Sequence, residues 1–297
     1  PHRIADVYAA ADAIAREGVT SVSEVCEILE LNRSAFYAWK SLIPTIRSER
    51  DRELLPLVRS IFHKHRRRYG ARRIADELHD LGHTCGRHRV SKLMKNQGLR
   101  AIQPKSFKPR TTESKHRLGY SPNLLLEADE ITGIDQLWVG DITYIPIALG
   151  RFSYLAMLMD RFSRRIIGWH LGEDMTEALV LKTLRQAIRR RAVKEGLIHH
   201  TDRGGQYAGG KYRKVLSRAA MCQSMSRADN CYDNAFMESC FGTLKNELEM
   251  TSYDSHHKAV KEISVYIRYY NLERKHSSLG YLSPIQFETN LASKKVF

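Results

Sequence analysis

The chain has 297 residues, 42% apolar side chains and a formal net charge of +15, enough for about two domains with a real hydrophobic core. No apolar run reaches the roughly 18 to 20 residues of a membrane-spanning helix, so a membrane partner is not expected. The charge is concentrated: residues 59–117 carry 17 Lys and Arg against 4 Asp and Glu, the footprint of a nucleic-acid partner rather than of an evenly solvated surface.

The opening stretch "PHRIADVYAAADAIAREG" carries charges throughout and does not read as a signal peptide. It begins with Pro1, as expected of a processed product or part of a longer reading frame. Within residues 1–45, "SVSEVCEILE" sets Val22, Val25, Ile28 and Leu29 on one helical face. "LNRSAFYAWK" follows, with Ser34 as a candidate cap and Phe36, Tyr37 and Trp39 as packing residues. Two short helices joined by a tight turn predict a helix-turn-helix; a plain helical hairpin has the same pattern.

Residues 46–100 predict a second helical DNA-binding module. Leu54, Leu57, Val58 and Ile61 mark one helix. "GARRIADELHDLG" marks another, with Ile74 and Leu78 inward and Gly82 as its stop. "CGRHRVSKLMKNQG" marks a third, with Val90, Leu93 and Met94 inward and Arg87, Arg89, Lys92 and Lys95 outward. A basic helix face after a short turn suits a major groove or a phosphate backbone. Arg72, Arg73, Arg87, Arg89 and Lys92 are therefore candidate DNA contacts. Residues 101–130, with Pro104, Pro109 and many charges, read as a basic linker.

Residues 131–297 change character. "QLWVGDITYIPI", "FSYLAMLMD" and "RRIIGWHLG" predict three successive antiparallel strands. A helix over "DMTEALVLKTLRQAIRRR" follows, with a capping box expected from Asp174 and Glu177. "GLIHH" and "MCQSMS" predict short strands around a helix in "GKYRKVLSRA", and two long helices close the chain. The five cysteines, Cys26, Cys85, Cys222, Cys231 and Cys240, are odd in number and form no C-x-x-C, which argues for a reducing compartment. His83, Cys85 and His88 lack a fourth zinc ligand.

Three acids stand out. Asp141 sits inside the first strand among Trp138, Val139 and Ile142, where an unpaired carboxylate is costly. Asp202 lies just past "LIHH", between two histidines and two glycines; the histidines are expected to pack or bind phosphate. Glu238 flanks the stripe Met237, Phe241, Leu244 and Leu248 of a helix. If the first and fourth strands are neighbours in a mixed sheet, the acids share one cleft and would hold two Mg²⁺ or Mn²⁺ ions, the arrangement phosphodiester transfer uses. Asp160 is the runner-up ligand and otherwise a turn or packing residue. Glu249 is about 16 Å along the helix from Glu238, too far for the same ions.

The segments "LWVGDITYI", "HHTDRGGQY", "SRADNCYDNAFMESCFGTLKNE" and "YYNLERKHSSLGYLSPIQF" fall in this order. Together they resemble the catalytic domain of the IS3-family insertion-sequence transposases, a branch of the DDE transposase and retroviral integrase superfamily. The resemblance covers about 131–290, with a less specific likeness in the upstream helices. It implies an α/β RNase H-like domain with a mixed five-stranded sheet and flanking helices, behind helix-turn-helix segments. It places the family's three acids on Asp141, Asp202 and Glu238, and a basic DNA-contacting residue on Lys245. Arg203 beside Asp202, and His276 in "RKHSSLGY", complete the candidate DNA contacts; a structural tie is the alternative for His276. The implied function is binding of double-stranded transposon ends and metal-dependent cleavage and strand transfer into target DNA. A homo-oligomer, dimer or higher, would act in the bacterial cytoplasm or nucleoid. A metal-dependent nuclease of the same fold and a catalytically silent DNA-binding regulator are the alternatives. Family members are often fused to an upstream helical segment.

Overall fold

The computed structural model describes residues 4–18, 20–41, 46–103, 119–126, 130–227, 235–250 and 252–294. Three helices come first: α1 (Ile4–Arg16), α2 (Val22–Ile28) and α3 (Arg33–Lys40). They close a small core of Tyr8, Ala11, Val25, Cys26 and Phe36, with Trp39 at its edge. Ser21 and Glu24 form a reciprocal capping box on α2. Asn32, not Ser34, caps α3: its side chain accepts the Ala35 amide at 3.0 Å, because the helix already begins at Arg33. Ile28 ends α2 and is exposed, leaving Val25 and Cys26 to face the core.

Helices α4 (Ile46–Lys64), α5 (Ala71–Asp80) and α6 (Arg87–Asn96) follow. α4 carries Pro56 in its interior. Gly82, at φ +83°, ends the α5 segment in the left-handed conformation that L side chains disfavour. Leu54, Val58, Ile74, Leu78, Val90 and Leu93 are buried. They belong to one continuous core with Val139, Ile145, Met237 and Ile263 of the following domain. The second helical module therefore packs directly on the sheet-bearing domain.

The sheet has the order β3-β2-β1-β4-β5. β1 (Leu137–Ile147), β2 (Arg151–Asp160) and β3 (Ile166–Gly172) form an antiparallel meander. β4 (Ile198–Thr201) and β5 (Cys222–Met225) add in parallel on the β1 side. This is the RNase H-like arrangement. Alternation along β1 serves both faces. Leu137, Val139, Ile145 and Ile147 pack toward α10 (Ala235–Glu247) and α11 (His256–Leu272). Trp138 and Ile142 pack toward α7 (Glu177–Arg190) and α9 (Gly210–Arg218).

The capping box expected at Asp174 and Glu177 does not form. α7 starts at Glu177 after Thr176, and no side chain caps it. The Glu177 carboxylate instead accepts the Tyr212 amide at 2.9 Å, serving the first turn of α9, whose own cap position is Gly209. A Cβ on Gly209 would lie 2.2 Å from Glu177 Oε1, so the absent side chain makes room for that carboxylate. The end of the expected linker is docked: Met225 N donates to Pro122 O at 3.2 Å and Leu124 N to Ser224 Oγ at 3.0 Å. Residues 104–118 of that linker lie outside the described residues. α8 (Gly205–Ala208) is a single turn, and α12 (Pro284–Lys294) ends the fold.

Candidate active site

Strand register brings two of the acids level. Val139 pairs with His200 in the parallel β1–β4 ladder. Two residues further, Asp141 and Asp202 stand at the same height. β4 ends at Thr201, so Asp202 sits at the strand's C-terminal end, where α/β sheets present functional groups. Asp141 Oδ1 accepts its neighbour's amide, Ile142 N, at 2.7 Å. Asp202 Oδ1 accepts the Gly204 amide at 3.0 Å. A Cβ on Gly204 would stand 3.1 Å from that oxygen and 2.5 Å from Gln206 Oε1, so glycine allows the tight turn. Glu238 lies in the first turn of α10, exposed beside buried Met237.

The three acids share a field. The Asp141 carboxyl is held well above the usual carboxylate range, first by burial, then by the negative charge of Asp202, and also by that of Glu238. Tyr207, on α8, is pushed up likewise by burial and by Asp202 and Asp141. Reading the sequence missed Tyr207; its position five residues after Asp202, in "DRGGQY", was the available signal. Among the described residues, no group of three His, Cys, Asp or Glu side chains is gathered closely enough to hold a metal ion as it stands.

The histidines before Asp202 are packing residues. His199 Nε2 and the Tyr212 hydroxyl are 2.7 Å apart, and burial pushes the ring down to about 3, so it is neutral. His200 bonds Ser224 and Ser226 through its two nitrogens at 2.8 and 3.2 Å. Asp160 is a turn residue, accepting Ser163 N and Asp135 N, each at 2.7 Å. It is fully buried on the far strand ends.

The candidate DNA contacts divide. Arg72, Arg87 and Lys92 are exposed. Arg89 is not outward: Nε donates to Asp51 Oδ1 at 2.7 Å and Nη2 to Arg47 O at 3.0 Å, tying α6 to α4. Arg73 is turned into the seam between α5 and the sheet domain, over the Tyr69 ring and 3.7 Å from Glu247. Arg203 is half-buried, donating to Ser226 O at 2.7 Å with its guanidinium over Tyr120. His276 is packed against Tyr270, 4.8 Å between ring centroids. Burial and the positive charge of Arg274 keep it neutral. For Arg89, Arg73 and Arg203 the partner comes from a distant segment, which helical periodicity does not encode. Lys245 lies seven residues beyond Glu238 on α10, over the Tyr144 ring of β1.

Comparison with known proteins bears on this geometry. Residues 132–231 and 220–284 match integrase core domain families, and residues 49–107 match an HTH-like domain. The chain is 39% identical over 265 residues to the insertion element IS600 uncharacterized 31 kDa protein of Shigella sonnei, covering 89% of this chain and 97% of that one. It is 37% identical over 278 residues to the transposase InsF for insertion sequence IS3A of Escherichia coli, covering 92% and 96%.

The chain belongs to the IS3-family DDE transposases.

The transposase for insertion sequence element IS904 of Lactococcus lactis is also similar, 40% identical over 241 residues, covering 80% of this chain and 94% of that one. As a member of the family, the chain is a DNA transposase, a polynucleotidyl transferase of the DDE type. Among the described residues, no helix is long and apolar enough to cross a membrane.

Proposed function

We propose that this transposase binds double-stranded transposon ends and catalyses metal-dependent strand cleavage and strand transfer into target DNA, with Asp141, Asp202 and Glu238 as its acids. The observation that carries the reading is the mutual field of those carboxylates. Asp141 is destabilised as an anion by burial and by its two acidic neighbours, the repulsion that divalent cations relieve. All three donors are carboxylate oxygens, the ligand class of Mg²⁺ and Mn²⁺.

Asp141 and Asp202 are fixed by the sheet and by their backbone amides. Glu238 is exposed on a helix, so its carboxylate adjusts to complete the set. Two divalent ions, when bound, supply the charge that activates an attacking hydroxyl and steadies a leaving one. The protein's own residues orient that charge. The cleft beside β4 admits a phosphodiester, and Lys245 on the same helix as Glu238 receives a neighbouring phosphate. Arg72, Arg87 and Lys92 approach the duplex from the helical module of residues 46–100, whose exposed charge supports nucleic-acid binding. A homo-oligomer, dimer or higher, would hold two ends together in the bacterial cytoplasm or nucleoid.

The test is a strand-transfer assay with pre-cut end DNA and Mg²⁺. Joined product supports the transposase chemistry. Hydrolysis without joining would mark a nuclease, and DNA binding without either reaction a regulator.

A further inference from the structure

A cavity of about 490 Å³ opens where the helical module meets the catalytic domain. Its wall draws on Arg72 and Arg73 from α5, Arg87 and Ser91 from α6, and Ser277 and Tyr281 from the turn before α12. A second cavity, about 610 Å³, shares Arg72, Arg87 and Tyr281 with it. The acid on the second wall, Asp76, is engaged by the Lys275 ammonium. Among the described residues neither Arg72 nor Arg87 forms an ion pair; Arg87 Nε donates to Nε2 of the neighbouring His88 at 3.3 Å, and both arginines are exposed.

Backbone geometry adds to this cationic wall. Both helices begin here on glycine, Gly70 and Gly86, and neither has a side-chain cap. The amides of each first turn therefore lack a side-chain acceptor, and each terminus carries partial positive charge. Across the cavity, Gly280 and Tyr281 are both left-handed at φ +62°, a conformation uncommon for tyrosine. Tyr281 N donates to His276 O at 2.8 Å and His276 N to Leu282 O at 3.1 Å, which holds the strained turn. Strain of this kind, at an aromatic residue facing a ligand-sized space, points to function.

We propose that this cavity is a backbone-phosphate site for duplex DNA, built jointly by the helical module and the catalytic domain. The amides of the first α5 turn and the guanidinium groups of Arg72 and Arg87 meet the phosphate oxygens. The hydroxyls of Ser277 and Tyr281 donate from the opposite wall. One duplex is thereby registered against both parts of the chain, so binding and positioning for chemistry use the same phosphates. The site rests on the reading of the helical module as DNA-binding.

The test uses the full chain and a fluorescent duplex, with affinity measured across a salt series. Ser277→Asp places a carboxylate on the catalytic-domain wall, far in sequence from the basic block. It is expected to weaken duplex binding several-fold and to reduce the slope of log affinity against log salt by about 1. The Arg72→Ala, Arg87→Ala double variant should do at least as much. Ser264→Asp, the same change at an exposed position of α11, should leave both quantities as in wild type. If wild type binds duplex DNA and Ser277→Asp matches it in affinity and slope, the shared site is overturned while the helical module remains DNA-binding. If wild type binds no duplex, both readings fall. Melting curves accompany each variant; should Ser277→Asp unfold, Tyr281→Phe, which removes only a hydroxyl from the same wall, decides, and wild-type affinity in that variant overturns the shared site.

Discussion

The Lys245 ammonium stands 4.5 Å from the centroid of the Tyr144 ring, so a residue of α10 touches the strand that carries Asp141. Glu249, one turn further on, pairs with Arg67 at 3.5 Å. Lys245 is half-buried, and burial holds its pKa down at about 8. It is therefore charged at pH 7 and neutral above about 8. We predict that Lys245→Ala lowers strand transfer well beyond its effect on melting temperature, while Lys245→Arg keeps part of the activity. Wild-type transfer should decline as pH rises through about 8, and the arginine variant should not. The stability contribution has the opposite trend. Between that value and the ordinary lysine range the unfolded chain binds more protons than the folded one, so stability rises with pH there. Wild-type activity in Lys245→Ala would reduce the residue to packing.

For the acids, Asp141→Asn, Asp202→Asn and Glu238→Gln should each abolish strand transfer and leave duplex binding near wild type. Asp141→Asn should also raise the melting temperature of the metal-free protein at neutral pH. The raised folded-state pKa of Asp141 means that ionising it costs stability as pH climbs above the ordinary carboxylate range, and an amide avoids this. Mg²⁺ should stabilise wild type and not the asparagine variant. Thermal melts with and without Mg²⁺ check both signs; an active variant among the three means the acids are misassigned.

A buried ion pair secures the seam beside the helical module. Arg274 Nε and Nη2 both donate to Glu247 Oε1, at 3.0 and 2.8 Å, and the Tyr266 hydroxyl donates to Oε2 at 3.1 Å. Arg274→Ala leaves a buried carboxylate without its main partner. The expected loss is about 3–5 kcal/mol, read as a lower denaturation midpoint at unchanged slope. A change under 1 kcal/mol, on the order of an exposed pair, would contradict the burial argument.

Arg89 offers a sharper discrimination. Its bond to Asp51 is intramolecular, so Arg89→Ala should lower stability while leaving the salt dependence of DNA binding nearly unchanged. Lys92→Ala, at an exposed position of the same helix, should do the reverse. Salt-titrated binding alongside melting of both variants separates the roles. A reduced salt slope in Arg89→Ala would show that the arginine leaves Asp51 for DNA.

Gly168 on β3 is a packing point for α7. A Cβ there would stand 2.6 Å from Thr183 O and 3.2 Å from the Ala187 Cβ. The closest of these is helix backbone, which yields little, so Gly168→Ala should cost about 1–3 kcal/mol. Chemical denaturation measures it directly, and a neutral outcome would mean that α7 shifts as a body.

The chain's own order of residues determined much of this. Alternation in "LWVGDITYIPI" and the next two runs specified an antiparallel meander, and an acid amid apolar strand residues marked Asp141. Periodicity placed Met237, Phe241 and Leu244 inward on α10, with Glu238 beside them. These are local properties, written within one or two turns or a few strand residues. What only the tertiary structure decided depends on which distant groups meet. The parallel pairing of Val139 with His200 sets Asp202 level with Asp141. Arg89 reads as outward by periodicity, yet Asp51 on another helix captures it; Arg73 is likewise taken by the domain seam, and His276 packs on Tyr270 of α11. Separate modules along the sequence share one core, because the apolar faces of α4–α6 find no better cover than the sheet domain. A charged side chain's partner is set by distance in space, and spacing along the chain carries no record of it.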